Sequence, residues 1–250
     1  MKRATRLQLG SVVAAVILLE VGSRSGMISS FTFIPPSVMA VQLYKSFANG
    51  SIFPSLRSTL VGVFIAAVAA IISGFVFGSI IHALPRVRRT FEPLFSSYYA
   101  VPIWAFYPMF VFMFGLTDVP KIVIGYLYAL VAMIVSTING LDVVPKVFEK
   151  TSRVFGMTRS TTLRLIVIPY AIPYVFTGVK LAISYAFIGI VGAEFILSTS
   201  GIGYEISWAY ISFENKPLYA MVLLILILSV GINMALFAWE RALTKWKVEL

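Results

Sequence analysis

The chain has no cysteine, one histidine and only 10 acidic residues among 250. Without thiols it forms neither disulfides nor thiolate metal sites. Its two aspartates, Asp118 and Asp142, are read in loops at opposite ends of one apolar run. The histidine, His82, ends another run just before Ala-Leu-Pro-Arg, as an interfacial residue would. An intramembrane hydrolase needs a nucleophile with a base, paired aspartates or a set of metal ligands, and none can be assembled from these residues. No Gly-rich loop carries the lysine of a phosphate-binding motif, so the chain has no nucleotide hydrolase site of its own. Charge of either sign is scarce, at 12% of residues. A proton-coupled carrier would place several acidic residues inside its helices, where this chain has Glu194 nearly alone. The expectation is a protein that is not an enzyme and holds no cofactor or metal.

What the chain has in abundance is apolar sequence. Hydrophobic residues make up 59% of it, and the mean hydropathy is +0.93. Several runs exceed the roughly 20 residues that a helix needs to cross a bilayer. The chain reads as a polytopic, all-α membrane protein, one membrane domain over residues 1–250 with about six spans. The net charge of +10 is clustered: 14 of the 20 Lys and Arg residues lie at the N-terminus, at 86–89, at 146–164 and in the C-terminal tail. If alternate loops face the cytoplasm, all four clusters lie inside, with both termini. That distribution argues for a bilayer and against a nucleic-acid partner.

Taken in order, Leu9 to Val21 follows three basic residues and is short for a span. A cleavable signal peptide ending near Val21-Gly-Ser is the alternative to an uncleaved first helix, which we favour. Residues 23–53 read as an outer loop with one short helix near Ser37 to Phe47. The second span covers Leu60 to Leu84, with Gly74 and Gly78 as a small-xxx-small pair. Pro85-Arg-Val-Arg-Arg89 stops it. The third, Leu94 to Leu116, contains Pro102 and Pro108, each of which removes a backbone donor. Such a helix should be buried or line a cavity, and its Tyr99, Trp104 and Tyr107 are either substrate-facing or ordinary packing. The fourth runs from Lys121 to Ile138. The fifth, Pro169 to Leu197, carries Lys180 and Glu194, expensive in hydrocarbon. Ser198 to Tyr204, with Gly201 and Gly203, reads as an outer loop before an interfacial helix marked by Tyr204, Trp208 and Ile211. The sixth span is Leu218 to Trp239.

One stretch organises the rest. Between the fourth and fifth spans, residues 149–165 carry Glu149, Lys150, Arg153, Arg159 and Arg164, with Val154, Phe155, Met157 and Leu163 interleaved. Gly156 divides two short helix-compatible runs, and Pro169 suits the first turn of the helix that follows. The alternatives are a basic loop that only sets topology and an elbow gripped by a soluble partner.

This stretch resembles the cytoplasmic motif of bacterial ABC importer permeases: Glu-Ala-Ala, three residues, Gly, nine residues, then Ile-x-Leu-Pro. Here Gly156 is followed by nine residues and Ile166-Val-Ile168-Pro169, while Lys150-Thr151-Ser152 stands where Glu-Ala-Ala is usual. Further motifs are similar to the nitrate/sulfonate/taurine branch: Phe33-Ile-Pro35-Pro-Ser37, Val101-Pro102 through Pro108 and Phe114-Gly115, Val119-Pro120-Lys121-Ile122, Pro173 through Lys180, Val191-Gly-Ala-Glu194-Phe and Ser198-Thr-Ser-Gly201-Ile-Gly203-Tyr204.

The resemblance implies a type I importer permease of the bacterial inner membrane. It implies two cytoplasmic ATPases that hold the ATP, a second copy or paralogue of the permease, and an extracytoplasmic binding protein. Glu149, Lys150, Arg153, Phe155, Gly156, Arg159 and Pro169 would couple to the ATPase. Tyr99, Trp104, Tyr107, Lys180 and Glu194 are candidates for the path, and Ser198, Gly201 and Gly203 for an outer gate. The competing readings are a membrane anchor that recruits a soluble enzyme and a small secondary transporter.

Overall fold

Proline opens most of the helices in this chain, and the reason is local: its missing N–H falls where a helix leaves donors unpaired, and its fixed φ suits the first turn. A computed structural model describes residues 2–29 and 31–244. In order, the helices are α1 (Lys2–Arg24), α2 (Pro36–Ala48), α3 (Phe53–Ala83), α4 (Pro85–Tyr98), α5 (Tyr107–Phe114), α6 (Val119–Asp142), α7 (Lys146–Val154), α8 (Arg159–Thr162), α9 (Ile168–Leu197), α10 (Ile202–Ile211) and α11 (Asn215–Thr244). Proline occupies the first or second position of α2, α3, α4, α5, α6 and α9. No strand occurs among the described residues.

Four helical stretches among the described residues are long and apolar enough to cross a membrane, and a fifth is gained if α4 and the segment Ile103–Phe114 count as one broken span. The remaining segment of the six read from the sequence is α1, whose side chains are described only in part. Glu20 of α1 accepts from the backbone N (2.9 Å) and hydroxyl (2.6 Å) of Ser37, so its carboxylate caps the start of α2 and ties the two helices together.

α6 is the central helix, held between α3 and α9. Bilayer lipid offers no hydrophobic drive between helices, so close backbone approach through small residues takes its place. A Cβ at Gly74 or Gly78 of α3 would come within 2.7 Å of Met133 or Thr137 of α6. The small-xxx-small pair read from the sequence therefore faces α6. On the other flank Gly125 of α6 meets Gly189 of α9, where a Cβ at Gly189 would lie 2.9 Å from the Gly125 Cα. Ala66, Ala70, Ala129, Met133, Ala182, Ala186 and Ile190 fill the three-helix core. A second cluster, Leu43, Ile52, Ile202, Ala220, Met221 and Leu224, binds α2, α10 and α11 together.

The third span departs from its expected form. The sequence predicts one proline-broken helix over 94–116; the structure has two helical segments bent by 88° around residues 99–102. Pro102 denies Val101 the helical conformation and supplies no donor, so the chain turns there and re-enters through a 3₁₀ turn, Ile103–Phe106. Pro108, expected to break the span, lies in the first turn of α5 instead. The basic cluster Arg86–Arg89 is not a loop but the first turns of α4, because Leu84 is extended (φ −117°, ψ 90°) and Pro85 starts a new helix.

Candidate functional site

The elbow is built from two short helices and two caps. α7 ends in a Schellman turn: Met157 N donates to Ser152 O (2.9 Å) and Gly156 N to Arg153 O (3.0 Å). That turn needs a left-handed residue, and Gly156 supplies it at φ +67°. Thr158 then caps α8 by accepting from Thr161 N at 3.2 Å. The helix continues through a π turn at Leu163–Val167 into α9. The π turn accommodates Pro169, whose ring and absent N–H would otherwise disturb the carbonyls one turn earlier. The second half of the elbow and the membrane helix are thus one continuous helix from Arg159 to Leu197, with no loop between them.

Ser152, within the stretch that replaces Glu-Ala-Ala, is buried, and its hydroxyl donates to Glu149 O at 2.9 Å. Val154 and Phe155 are the opposite case, 85% and 78% exposed at the tip of the elbow. Beside them Glu149, Arg153, Met157, Arg159 and Leu163 line an open groove of about 300 Å³. An exposed apolar tip next to a charged groove is a surface suited to a protein partner. Lys150 is exposed on the same helix. Phe148 packs edge-on against Tyr170 with ring centroids 5.6 Å apart, which braces α7 against α9.

At the other end of the bundle, two fully buried charges meet. Lys121 in the first turn of α6 lies 3.2 Å from Glu194 in the last turn of α9. The Lys121 ammonium also donates to Ser58 Oγ (2.7 Å), Asp118 Oδ1 (2.8 Å) and Ser200 Oγ (3.1 Å). The Glu194 carboxylate accepts from Thr59 Oγ1 (2.8 Å) and Gly203 N (3.1 Å), and Ile202 N donates to Thr59 Oγ1 at 2.9 Å. Gly201 sits at φ +108°, and a Cβ there would overlap the Glu194 carboxyl group. Ser198 Oγ donates to Ser200 O at 2.9 Å within the same loop. The Lys121 ammonium holds the carboxyl of Asp118, in the preceding turn, below the usual aspartate range.

The sequence singled out Glu194 and the 198–204 loop, whose last residues, Gly203 and Tyr204 included, belong instead to α10, but missed Lys121, Thr59 and Ser58. The available signal was Lys121 itself, a cation in the first turn of an apolar helix, where the helix dipole disfavours it. Asp142, read as a loop residue, is the last residue of α6 and forms a bidentate pair with Arg88 (2.8 and 2.7 Å).

The three aromatics read from the third span occupy different settings. Tyr107 is 1% exposed. Trp104 donates from Nε1 to Gly189 O at 3.2 Å and packs on Tyr128, centroids 5.1 Å apart. Tyr99 is half-exposed and lines a cleft of about 280 Å³ with Arg88, Glu92 and Phe95 of α4 and Ile138 and Asn139 of α6. Lys180 pairs with Glu240 of α11 at 2.7 Å and lies 5.1 Å from the Phe237 ring centroid.

Residues 70–247, which include α6, the elbow, the π turn and all of α9, match the family described as the binding-protein-dependent transport system inner membrane component. The chain belongs to this family. As an inner-membrane component it is a multi-pass membrane protein. It is 24% identical over 255 residues to the taurine transport system permease protein of Escherichia coli, covering 100% of this chain and 93% of that protein. It is 25% identical over 244 residues to an aliphatic sulfonates transport permease protein assigned in Bacillus subtilis, covering 95% and 87%. Among solved structures, the MetNI methionine ABC transporter in an inward-facing form matches with a TM-score of 0.66 at 18% identity, covering 75% of this chain and 94% of that one. The fold is that of type I importer permeases.

Proposed function

We propose that the chain is the permease subunit of an ATP-driven importer, in which two separate cytoplasmic ATPases hold the nucleotide and grip the elbow at residues 149–165. The observation that carries this reading is the continuity of the elbow with α9. A partner that grips the elbow and displaces α8 displaces α9 with it, and a two-state helix bundle turns that displacement into alternating access. Glu149, Lys150, Arg153 and Arg159 form the rim of the contact and Phe155 its centre. Gly156 sets the bend, and Pro169 lies where the elbow joins the span. The chain itself supplies no catalytic group and holds no cofactor.

The working unit pairs this chain with a second copy or a paralogue and receives solute from an extracytoplasmic binding protein. The elbow and both termini face the cytoplasm, in keeping with the clustered basic residues. The solute is small and of the class that relatives carry by name, including taurine, aliphatic sulfonates, nitrate and formylaminopyrimidine. Tyr99, beside the Arg88–Asn139 cleft, faces the path, and Trp104 and Tyr107 support it from behind. Lys180 fixes α9 to α11 beside the path. Glu194 holds Ser198, Gly201 and Gly203 at the outer end.

Gly156→Val tests the reading because it keeps every charge and its Cβ meets no neighbour within 4 Å, while φ +67° makes the substitution strain the bend itself. The variant is expected to reach the membrane at normal abundance and to lose capture of the ATPase, with ATP-driven uptake. Wild-type uptake with the ATPase still bound would remove the elbow from the mechanism.

A further inference from the structure

Lys121 and Glu194 each carry the unfavourable sign for their helix end. Lys121 stands in the first turn of α6, where unpaired N–H groups concentrate positive potential. Glu194 stands in the last turn of α9, where unpaired carbonyls concentrate negative potential. Both side chains are 0% exposed. Without Glu194, Lys121 would keep Asp118 at 2.8 Å, whereas Glu194 without Lys121 would be a buried carboxylate against an opposing dipole with no cation beside it, so Glu194 depends on Lys121 being in place.

Three further segments close around the pair. Ser58 and Thr59 bring in α3. Ser200 brings in the loop, and the Ile202 and Gly203 amides bring in the start of α10. The loop has no slack, since its backbone at Gly201 lies against the carboxylate with no room for a Cβ. Ile202 in turn packs on Ala220, Met221 and Leu224, so α11 is carried with it. The elbow end is built differently. Its ion pairs, Arg88–Asp142 and Lys180–Glu240, leave every side chain between 21% and 34% exposed. Such pairs exchange with water at little cost.

We propose that the Lys121–Glu194 cluster is a permanent latch, closed throughout the transport cycle, that makes α3, α6, α9, α10 and the 198–201 loop one body. Access at this end then changes by movement between bodies, and the loop does not swing as a flap. Lys121 and Thr59 are positioning residues for transport. The inference rests on the permease reading, and it narrows what the outer-end residues do within it.

The chain's lack of cysteine gives a direct test. Ser58→Cys with Ser200→Cys places this chain's only two thiols where the hydroxyl oxygens stand 3.0 Å apart. In proteoliposomes holding the complete transporter, oxidation is expected to join them and leave uptake within about two-fold of the reduced protein, because the limiting motion lies elsewhere. Uptake that collapses on oxidation and returns on reduction overturns the latch. The wild-type complex gives an independent measurement that needs no variant: amide hydrogen exchange at residues 202 and 203, without nucleotide and with ATP bound. Equal protection in the two states supports the latch, and exchange that rises with ATP overturns it. Failure of the permease reading has a separate signature, a wild-type chain that captures no ATPase, and it is scored before either comparison.

Discussion

Arg88, in the first turns of α4, forms a two-pronged ion pair with Asp142, the last residue of α6, across 54 residues of sequence. The pair joins the bent α4–α5 unit to the helix from which the elbow departs, and His82 Nδ1 approaches the same carboxylate at 3.2 Å. The pair therefore ties α4 to the end of α6, beside the cleft that Tyr99 lines.

The Arg88–Asp142 pair is about a third exposed on both sides, so its coupling energy should be small. A double-mutant cycle with Arg88→Ala and Asp142→Ala, followed by thermal unfolding in detergent, is expected to give ~0.5–1 kcal/mol. Additive single effects would show that the bidentate geometry contributes nothing measurable.

Gly156 and Gly201 share a positive φ but differ in their surroundings, and the difference is measurable. Space around Gly156 is open, so Gly156→Asn, which tolerates the left-handed region, should fold and couple close to wild type. Gly201→Ala combines the strained φ with a clash on Glu194, and should destabilise by about 2–4 kcal/mol, visible as lost abundance and a lower Tm. Equal stability of Gly201→Ala and Gly156→Ala would contradict the close packing of the loop on Glu194.

Asp118 gives the outer turn a predictable acid response. Lys121 lowers its folded-state pKa, so the carboxylate contributes stability that is present above the unfolded value, about 3.9. That contribution disappears as the pH falls from there through the lower folded value. Unfolding curves of wild type and Asp118→Asn should therefore differ at neutral pH and converge in strong acid. A gap that persists unchanged to the lowest pH would assign the effect to shape rather than charge.

Orientation in the membrane is tested by single cysteines at two exposed serines, Ser160 on the elbow side and Ser212 after α10. An impermeant thiol reagent applied from outside should label Ser212→Cys and spare Ser160→Cys. The reverse pattern would invert the topology.

The sequence by itself determined everything that depends on composition and neighbours in the chain. Apolar runs longer than a bilayer needs gave the spans. Pro85 and Pro102 marked where a helix ends or breaks, because what proline lacks is lacking wherever it stands; that a new helix starts at Pro85, and that the elbow helix runs on through Pro169, came from the fold. Gly156 marked the bend, because the left-handed region is open to glycine in any context. The Gly74–Gly78 spacing announced a close helix contact without naming the partner. Tertiary structure alone decided which helix faces meet. Lys121 and Glu194 lie 73 residues apart, and periodicity can put each on a face of its helix without saying that the two faces are opposed. The same limit hid the burial of Tyr107 and the 88° turn after α4, since Pro102 announces a break but not its angle. Pairing of buried charges is a property of packed helices, and it has no counterpart in a single helix read alone.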